Sequence, residues 1–307
     1  MSKVMKIWFI TASILIFCGL IVFTAQMTVY DWDFSRLAEE DYETNTNIIS
    51  ESFLDIKVNT EYADITVVPA TDGECKVVCF EERKAKHIVC VENGTLKITL
   101  SDEKCWYDYF GFNFADTKIT VYLPEAEYGA LSVNTSSGDV VAHGITLGAL
   151  DATTASGKVR LSSIKCEGDL KLNLLSGNSW MNGVTCKNLV IGSSCGDVEM
   201  TSVSTAEMIK ITSTSGDVEL NSAVALGKLQ IYSKSGDVEL KVCDASEIFI
   251  ETLSGDVEGS ILSDKVFIAR SSTGLVEVPK TVSGGRCEIV SKSGNIYIKL
   301  SRNPYNK

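Results

Sequence analysis

Apolar and polar residues alternate in short runs along most of the chain, and these runs are organised around a glycine that recurs every 19 or 20 residues. The glycine stands in Ser-Gly-Asp-Val or a close variant, and the motif occurs nine times. The nine glycines are Gly138, Gly157, Gly177, Gly196, Gly216, Gly236, Gly255, Gly274 and Gly294. A period of this size indicates a solenoid, in which each unit buries its apolar face only by stacking on its neighbours.

The alternation on both sides of the glycine predicts two short strands per repeat. Apolar residues stand seven and five positions before the glycine, as Ile209 and Ile211 do before Gly216. After it, residues 218–220 read Val-Glu-Leu, so the apolar side chains point inward and the glutamate points outward. A further apolar column, seven positions after the glycine, comprises Ile145, Ile164, Val184, Val203 and Cys243. Each unit is therefore predicted to supply two strands and an apolar corner.

These units predict an all-β protein, a parallel β-solenoid of about nine coils. A β-propeller needs about 40 or more residues per blade, and a β-sandwich lacks such strict repetition. A left-handed hexapeptide helix is disfavoured because neither 19 nor 20 is a multiple of six. Handedness stays open, with a right-handed coil favoured. Stacked at roughly 4.8 Å per coil, the repeats make a rod on the order of 40 Å long.

The Ser-Gly-Asp element is predicted to form the turn between the two strands of a unit. Glycine adopts positive φ without a steric penalty, and Ser and Asp side chains bond nearby backbone amides. The turn residues singled out are Gly138, Asp139, Gly196, Asp197, Gly216, Asp217, Gly236, Asp237, Gly255 and Asp256. Lys158 and Leu275 interrupt the aspartate column. Capping of backbone amides is the favoured role of the carboxylates, and calcium binding is the alternative.

Two groups of side chains are candidates for a binding surface. One is the outward glutamate column after the glycine, and the other lies in the densest aromatic stretch of the chain. Their members are Glu199, Glu219, Glu239, Glu258, Glu277, Trp106, Tyr107 and Tyr109. The glutamates are expected to stack roughly 5 Å apart. The aromatic stretch is either a loop packed on the protein, which is favoured, or an exposed contact surface.

Composition divides the chain into six segments. Lys3 and Lys6 precede an uncharged apolar run, so the positive-inside rule predicts a cytoplasmic N-terminus and an extracellular remainder. A single-pass anchor in the cell membrane is favoured over a cleaved signal, because the run is long and lacks an Ala-x-Ala site. The predicted segments are a cytoplasmic N-terminus (1–6), a transmembrane anchor (7–29), an acidic linker (30–50), an irregular N-terminal β cap (51–130), the solenoid repeats (131–300) and a C-terminal tail (301–307).

The net charge of −12 argues against nucleic acid as a partner, because phosphate binding needs clustered Lys and Arg. Neither His87 nor His143 has a nucleophile at a motif spacing, so no catalytic residue is predicted. The chain has no Cys-x-x-Cys and only two histidines, which argues against a structural zinc site. No metal and no cofactor is predicted.

Nine cysteines follow the apolar run, and an odd number cannot all pair within one chain. Cys166 and Cys186 occupy the same column of successive repeats, and Cys79 and Cys90 flank a charged turn. Either pair is a candidate disulfide. The alternative is that the cysteines fill small inward positions of the core.

A resemblance to a known family rests on residues 118–140. A strand ending in Leu-Pro is followed by Ser-Ser-Gly-Asp-Val and then by the serial Ser-Gly-Asp-Val units. This arrangement resembles the bacterial putative-adhesin family of unknown function, the β-strand-repeat envelope proteins, over about residues 50–300. The resemblance implies a surface location. Some members are encoded beside envelope-stress regulators, which implies an accessory signalling role as well.

The favoured function is that of a non-enzymatic, membrane-anchored extracellular protein that binds a cell-envelope polymer or another protein through its long faces. The alternative is an accessory protein of envelope-stress sensing that acts on a membrane partner. A carbohydrate-active β-helix enzyme is the least favoured, because the glutamate column lacks the interleaved Arg or Lys that lyase chemistry requires. The genes beside this one would separate the first two functions.

Overall fold

The computed structural model describes residues 3–29, Trp32, 42–102 and 117–301. Its N-terminal element is the helix α1 (Lys3–Val29). The segment Trp8–Val29 has a mean hydropathy of 2.3 and is long and apolar enough to cross a membrane. Every other regular element of the described chain is a β-strand.

The strands fall into an N-terminal group and a repeat group. The N-terminal strands are β1 (Tyr42–Ile49), β2 (Asp55–Asn59), β3 (Asp64–Pro69), β4 (Cys75–Glu82), β5 (Ala85–Glu92), β6 (Thr95–Asp102) and β7 (Lys118–Leu123). The repeat strands are β8 (Glu127–Thr135), β9 (Val140–His143), β10 (Thr146–Thr154), β11 (Val159–Ser162), β12 (Lys165–Cys166), β13 (Asp169–Ser176), β14 (Ser179–Asn182), β15 (Thr185–Cys195), β16 (Val198–Thr201), β17 (Ser204–Ser215), β18 (Val218–Asn221), β19 (Val224–Ser235), β20 (Val238–Ser254), β21 (Val257–Ile261), β22 (Lys265–Ser271), β23 (Val276–Glu277), β24 (Gly285–Ser293) and β25 (Ile296–Leu300).

The repeats form the parallel β-solenoid that the periodicity predicts. Strands that precede the glycines pair in parallel to form a first ladder, in which Ile209 of β17 lies opposite Leu229 of β19. Strands that follow the glycines form a second ladder, as β16 pairs with β18 and β18 with β20. A short third ladder runs through the predicted corner, where Thr185 pairs with Ser204. Each regular coil therefore has three sides.

The three ladders enclose one continuous apolar core. Inward residues of the first and second ladders, such as Ile211 and Val218, are almost fully buried. The corner column is buried as well, including Val184 and Cys243. Burial of one such side chain stabilises the fold by roughly 1.5–3 kcal/mol, and only stacked neighbours provide that burial.

Two levels of the segment expected to be an irregular cap belong to the solenoid itself. Ile56 of β2 pairs in parallel with Leu131 of β8, and β3 pairs in the same way with β9. On their other side, β2 pairs with β6 and β3 pairs with β7. Residues 51–130 therefore contain coils of the solenoid together with the antiparallel strands β4 and β5. The repeat spacing could not reveal these coils, because strands that pair here are far apart in the sequence. Asn59 and Asn134, for example, are hydrogen-bonded although they are 75 residues apart.

The expected linker of residues 30–50 is also corrected in part, because Tyr42–Ile49 forms strand β1. This strand pairs antiparallel with β4 along its whole length, from Tyr42 opposite Glu82 to Ile49 opposite Cys75. On its other edge β4 pairs antiparallel with β7. The polar strand covers an edge that would otherwise present unpaired amides and carbonyls, which is why a segment of linker-like composition is ordered.

The last two coils exchange places in the stack. Strand β24 pairs with β20 on one side and with β22 on the other, so Cys287 lies between Ile248 and Phe267. In the second ladder β25 lies between β21 and β23 in the same way. The coil that comes last in the sequence is therefore internal, and the coil of β22 and β23 is outermost among the described strands.

Candidate functional site

The outward column of the second ladder places four glutamates side by side. Glu199, Glu219, Glu239 and Glu258 lie opposite one another in register on β16, β18, β20 and β21. Adjacent strands are about 4.8 Å apart, so the carboxylates form a regular row on a rigid surface. We call these four residues the acidic row.

The fifth predicted glutamate does not continue the acidic row. Glu258 pairs with Tyr297 of β25, and Tyr297 in turn pairs with Glu277. The exchange of the last two coils therefore inserts an exposed tyrosine ring between the carboxylates. A sequential stack, which the repeat spacing predicts, would have placed Glu258 and Glu277 together.

An aromatic side chain also borders the other end of the row. Trp180 of β14 lies opposite Glu199, and the guanidinium of Arg160 stacks over its ring at 4.9 Å from the centroid. The same outward column thus reads arginine, tryptophan, four glutamates, tyrosine and glutamate. The sequence contained this signal, because each member stands three positions after its glycine.

A lysine lies within the acidic row. Lys241 donates hydrogen bonds to Glu219 at 2.7 Å and to Glu239 at 2.9 Å. These bonds hold the pKa of Lys241 above its usual value. Glu199 and Glu258 have no ion-pair partner within the described part of the chain, so the row keeps net negative charge at both ends.

The aspartates after the glycines bond from coil to coil. Asp197 Oδ1 accepts the backbone N–H of Asp217 at 3.0 Å, and Asp217 Oδ1 accepts that of Asp237 at 2.8 Å. Asp237 and Asp256 continue the series, the latter to Asn295 at 2.7 Å. The bonded amides belong to the next repeat rather than to the turn that carries the aspartate. This aspartate ladder ties the turns of the stack together.

The turn glycines approach each other along the stack. A Cβ on Gly216 would lie 2.4 Å from the carbonyl oxygen of Gly196, and one on Gly236 would lie 2.2 Å from that of Gly216. Gly216 has the positive φ that a turn predicts, at 114°. Gly138 does not adopt positive φ, yet its Cβ would lie 1.8 Å from the carbonyl oxygen of Ala63. Close stacking is thus the more general reason for glycine here.

Sequence reasoning missed a buried polar cluster at the N-terminal end. Glu81 and His87 have almost no exposed side chain, and His87 Nδ1 lies 2.7 Å from Glu81 Oε2. Thr60 Oγ1 lies 2.9 Å from His87 Nε2. Cys79 is fully buried beside them, and burial together with the Glu81 charge raises the pKa of its thiol to about 12. Spacings of two and six residues match no standard motif, so only the fold reveals the group.

The cysteines described by the structure are free thiols. Cys166 and Cys186 occupy neighbouring coils, because the residues just before them, Lys165 and Thr185, are paired. Burial raises the pKa of the Cys186 thiol to about 12. The three predicted aromatic residues lie outside the described part of the chain; they are Trp106, Tyr107 and Tyr109.

Comparison with curated proteins gives no significant match. Among solved structures, a Parabacteroides distasonis protein described as a "Putative lipid binding protein" shares 16% identity at a TM-score of 0.55, over 84% of this chain and 97% of that one. A "putative adhesin" from Parabacteroides merdae shares 12% identity at a TM-score of 0.51, over 84% of this chain and 97% of that one. At these identities the likeness shows the fold, and both descriptions name binding or adhesion rather than catalysis.

The resemblance that residues 118–140 indicated is confirmed by a match at the level of the family. The matching model is described as Toastrack DUF4097, and it covers the two N-terminal levels as well as the nine repeats. Since residues 53–303 match that model, the chain belongs to the Toastrack DUF4097 family.

Proposed function

We propose that this protein is a membrane-anchored, non-enzymatic envelope protein whose extracellular solenoid binds a cell-wall polymer through the acidic row. The helix α1 is the anchor in this proposal, with the short N-terminal segment in the cytoplasm. The observation that carries it is the register of Glu199, Glu219, Glu239 and Glu258 on one rigid face. A linear row of fixed spacing suits a ligand that is itself a linear repeat.

The chemistry of the row selects among polymers. Carboxylates accept hydrogen bonds from sugar hydroxyls and pair with ammonium groups, and they repel polyanions. The half-buried ring of Trp180 and the exposed ring of Tyr297 provide apolar faces at the two ends of the row. A wall glycan with free hydroxyls and amino groups fits both features.

The neighbour described as a lipid-binding protein raises a different ligand. Anionic lipid headgroups would be repelled by a chain with a net charge of −12. The described coils are also filled by their own apolar side chains, such as Leu220 and Ile231. These two observations favour a polymer on the outer face over a lipid.

Sedimentation with purified cell-wall sacculi tests the proposal, using the full chain in detergent. The test variant changes all four glutamates of the acidic row to glutamine. The control variant loses the same number of charges, because four exposed glutamates elsewhere are also changed to glutamine. They are Glu167, Glu207, Glu247 and Glu251. A charge-assisted hydrogen bond contributes about 1.5–3 kcal/mol, so the test variant should bind at least about tenfold more weakly.

The control should bind like the wild type. Equal binding by the wild type and the test variant would overturn the assignment of the acidic row. Absence of binding by the wild type would overturn the wall polymer as the ligand.

A further inference from the structure

The buried cluster of Cys79, Glu81 and His87 lies where two strands of the N-terminal end diverge. Strands β4 and β5 are joined by a tight turn and pair only at Glu82 and Ala85. Beyond that pair β4 continues antiparallel to β1 and β7, whereas β5 pairs with β6. Side chains that point into the opening between the two strands therefore face each other.

The cluster converges on the Glu81 carboxylate. The backbone N–H of His87 donates to Glu81 Oε2 at 2.6 Å. The Glu81 side chain thus accepts the hydrogen bond that a backbone carbonyl of β4 would accept if β4 and β5 stayed paired. Asn45 of β1 donates to Glu81 Oε1 at 2.8 Å. The ring of His87 is fixed from both sides, by Glu81 at Nδ1 and by Thr60 at Nε2.

We propose that Cys79, Glu81 and His87 bind a divalent transition-metal ion of the Zn²⁺ type. One ligand atom from each residue lies within 4.8 Å of the other two. Thiolate, imidazole and carboxylate are the donors that zinc takes in proteins. A thiolate and a carboxylate together also balance the charge of a 2+ ion. This inference is independent of the acidic row.

The hydrogen-bonded arrangement needs only a small change to accept the ion. Zinc lies about 2.0–2.3 Å from its ligands, so neighbouring donor atoms separate to roughly 3.3–3.8 Å. The present 2.7 Å between His87 Nδ1 and Glu81 Oε2 fits an N–H···O hydrogen bond. When the ion binds, the Nδ1 proton leaves that nitrogen, the Cys79 thiol releases its proton to solvent, and neutral His87 carries its one proton on Nε2. His87 Nε2 then donates to Thr60 Oγ1, which is the outer contact that orients a metal-bound histidine.

Among the described residues, no positively charged side chain occupies the position that the ion would take beside Cys79 and Glu81. The Cys79 sulfur has no hydrogen-bond partner within the part of the chain that the structure describes. No lysine or arginine in that part pairs with Glu81, whose described partners are Asn45 and His87. A buried carboxylate is most stable when a positive charge is close to it, and the metal supplies that charge.

Cobalt titration of the full chain in detergent, under reducing conditions after removal of bound metal, tests the site. Wild type should bind one Co²⁺ and develop the near-ultraviolet band of a cobalt–thiolate bond. Cys79→Ser should lose the near-ultraviolet band. Cys75→Ser, the next but one inward residue before Cys79 on the same strand, should retain it.

Thermal melting with Zn²⁺ gives a second readout. Added zinc should raise the melting temperature of wild type and Cys75→Ser, because a ligand of the native state stabilises it by mass action, and leave Cys79→Ala unchanged. If both Cys79 variants fail to fold, the wild-type titration still decides. Absence of the cobalt–thiolate band in wild type, or the same band in Cys79→Ser, would overturn the site.

Discussion

At the scale of single residues, the turn glycines show how close the coils lie. Gly216 has two independent reasons to be glycine, its φ of 114° and the 2.4 Å that would separate a Cβ from the Gly196 carbonyl oxygen. Other glycines allow the effect of positive φ to be distinguished from the effect of close stacking. Gly73 has positive φ with open space around it, and Gly192 has neither constraint.

Replacement of these glycines by alanine should therefore give three different results. Gly216→Ala should lower the free energy of unfolding by about 1–3 kcal/mol, because a backbone carbonyl has to move. Gly73→Ala should lower the free energy of unfolding by about 1 kcal/mol, through backbone strain alone. Gly192→Ala should be neutral or stabilising by about 0.5 kcal/mol. Denaturant unfolding followed by circular dichroism measures the series, and equal effects at Gly216 and Gly73 would contradict the stacking argument.

A second repeated backbone feature lies six residues after the glycine. The residue there has positive φ in six successive repeats, with values of 52° to 66°. The six residues are Gly144, Ser163, Gly183, Ser202, Ser222 and Val242. Val242 is β-branched, and such a side chain in the left-handed region is strained.

Val242→Gly should stabilise the protein. Relief of left-handed strain is worth about 1–2 kcal/mol and the extra entropy of glycine removes about 0.5–1 kcal/mol, so a net gain of about 0.5–1 kcal/mol remains. Val141→Gly, an outward valine within strand β9, is the control and should be destabilising. The shift in melting temperature measures both changes. A loss of stability in Val242→Gly would show that its side chain contributes more than its backbone strain removes.

The residue scale also shows what the sequence could predict. The repeat identified the turn glycines, because their spacing is visible without any structure. It did not reveal the contact between Gly216 and Gly196, which depends on the distance between coils. Nor did it reveal the cluster around Glu81, whose members meet only because β4 and β5 diverge.

At the scale of strands and ladders, the aspartate ladder explains an acidic column that would otherwise repel itself. Each Oδ1 accepts a backbone N–H from the next coil, and Asn178 does the same for Asp197 at 3.1 Å. Leu275 stands on the outermost coil, where its N–H is bonded by Asn295 and no described coil follows. An acceptor side chain at position 275 would have no amide to bond, which accounts for that interruption.

Substitutions at Asp237 distinguish an amide acceptor from a calcium ligand. Asp237→Asn keeps the acceptor and should stay within about 0.5 kcal/mol of wild type, whereas Asp237→Ala leaves the Asp256 N–H unpaired and should lose about 1–3 kcal/mol. Melting of the wild type should not respond to calcium. A calcium-dependent rise in melting temperature that Asp237→Asn abolishes would instead support a calcium site.

Strand positions were predictable wherever period-two alternation is strong, as in β17 and β19. The order of strands was predictable only where sequence neighbours are also neighbours in space. It failed at the N-terminal end, since β2 pairs with β6 and β8 rather than with the strands next to it in the sequence. It failed again where Tyr297 separates Glu258 from Glu277.

At the scale of the whole molecule, the order of the coils in the stack differs from their order in the sequence at both ends of the solenoid. The first coil in the sequence, β2 and β3, is covered at its outer side by β6 and β7. The last coil, β24 and β25, is covered in the same way by β22 and β23. A terminal coil of a simple stack frays, because its strands have neighbours on one side only. Here the coil at each end of the repeat sequence is held between two others, so fraying of the stack does not begin at a chain end.

Hydrogen exchange of the C-terminal strands should follow their order in space rather than in the sequence. Strand β24 has partners on both sides, whereas β22 has β24 as its only ladder partner in the described chain. Peptides from 285–293 should therefore exchange more slowly than peptides from 265–271, although they are nearer the C-terminus. Peptides from β17 and β19, which both have two partners, serve as the control and should be protected alike. Faster exchange in 285–293 would mean that the coils stack in sequence order, and Glu258 and Glu277 would then be neighbours in one uninterrupted row.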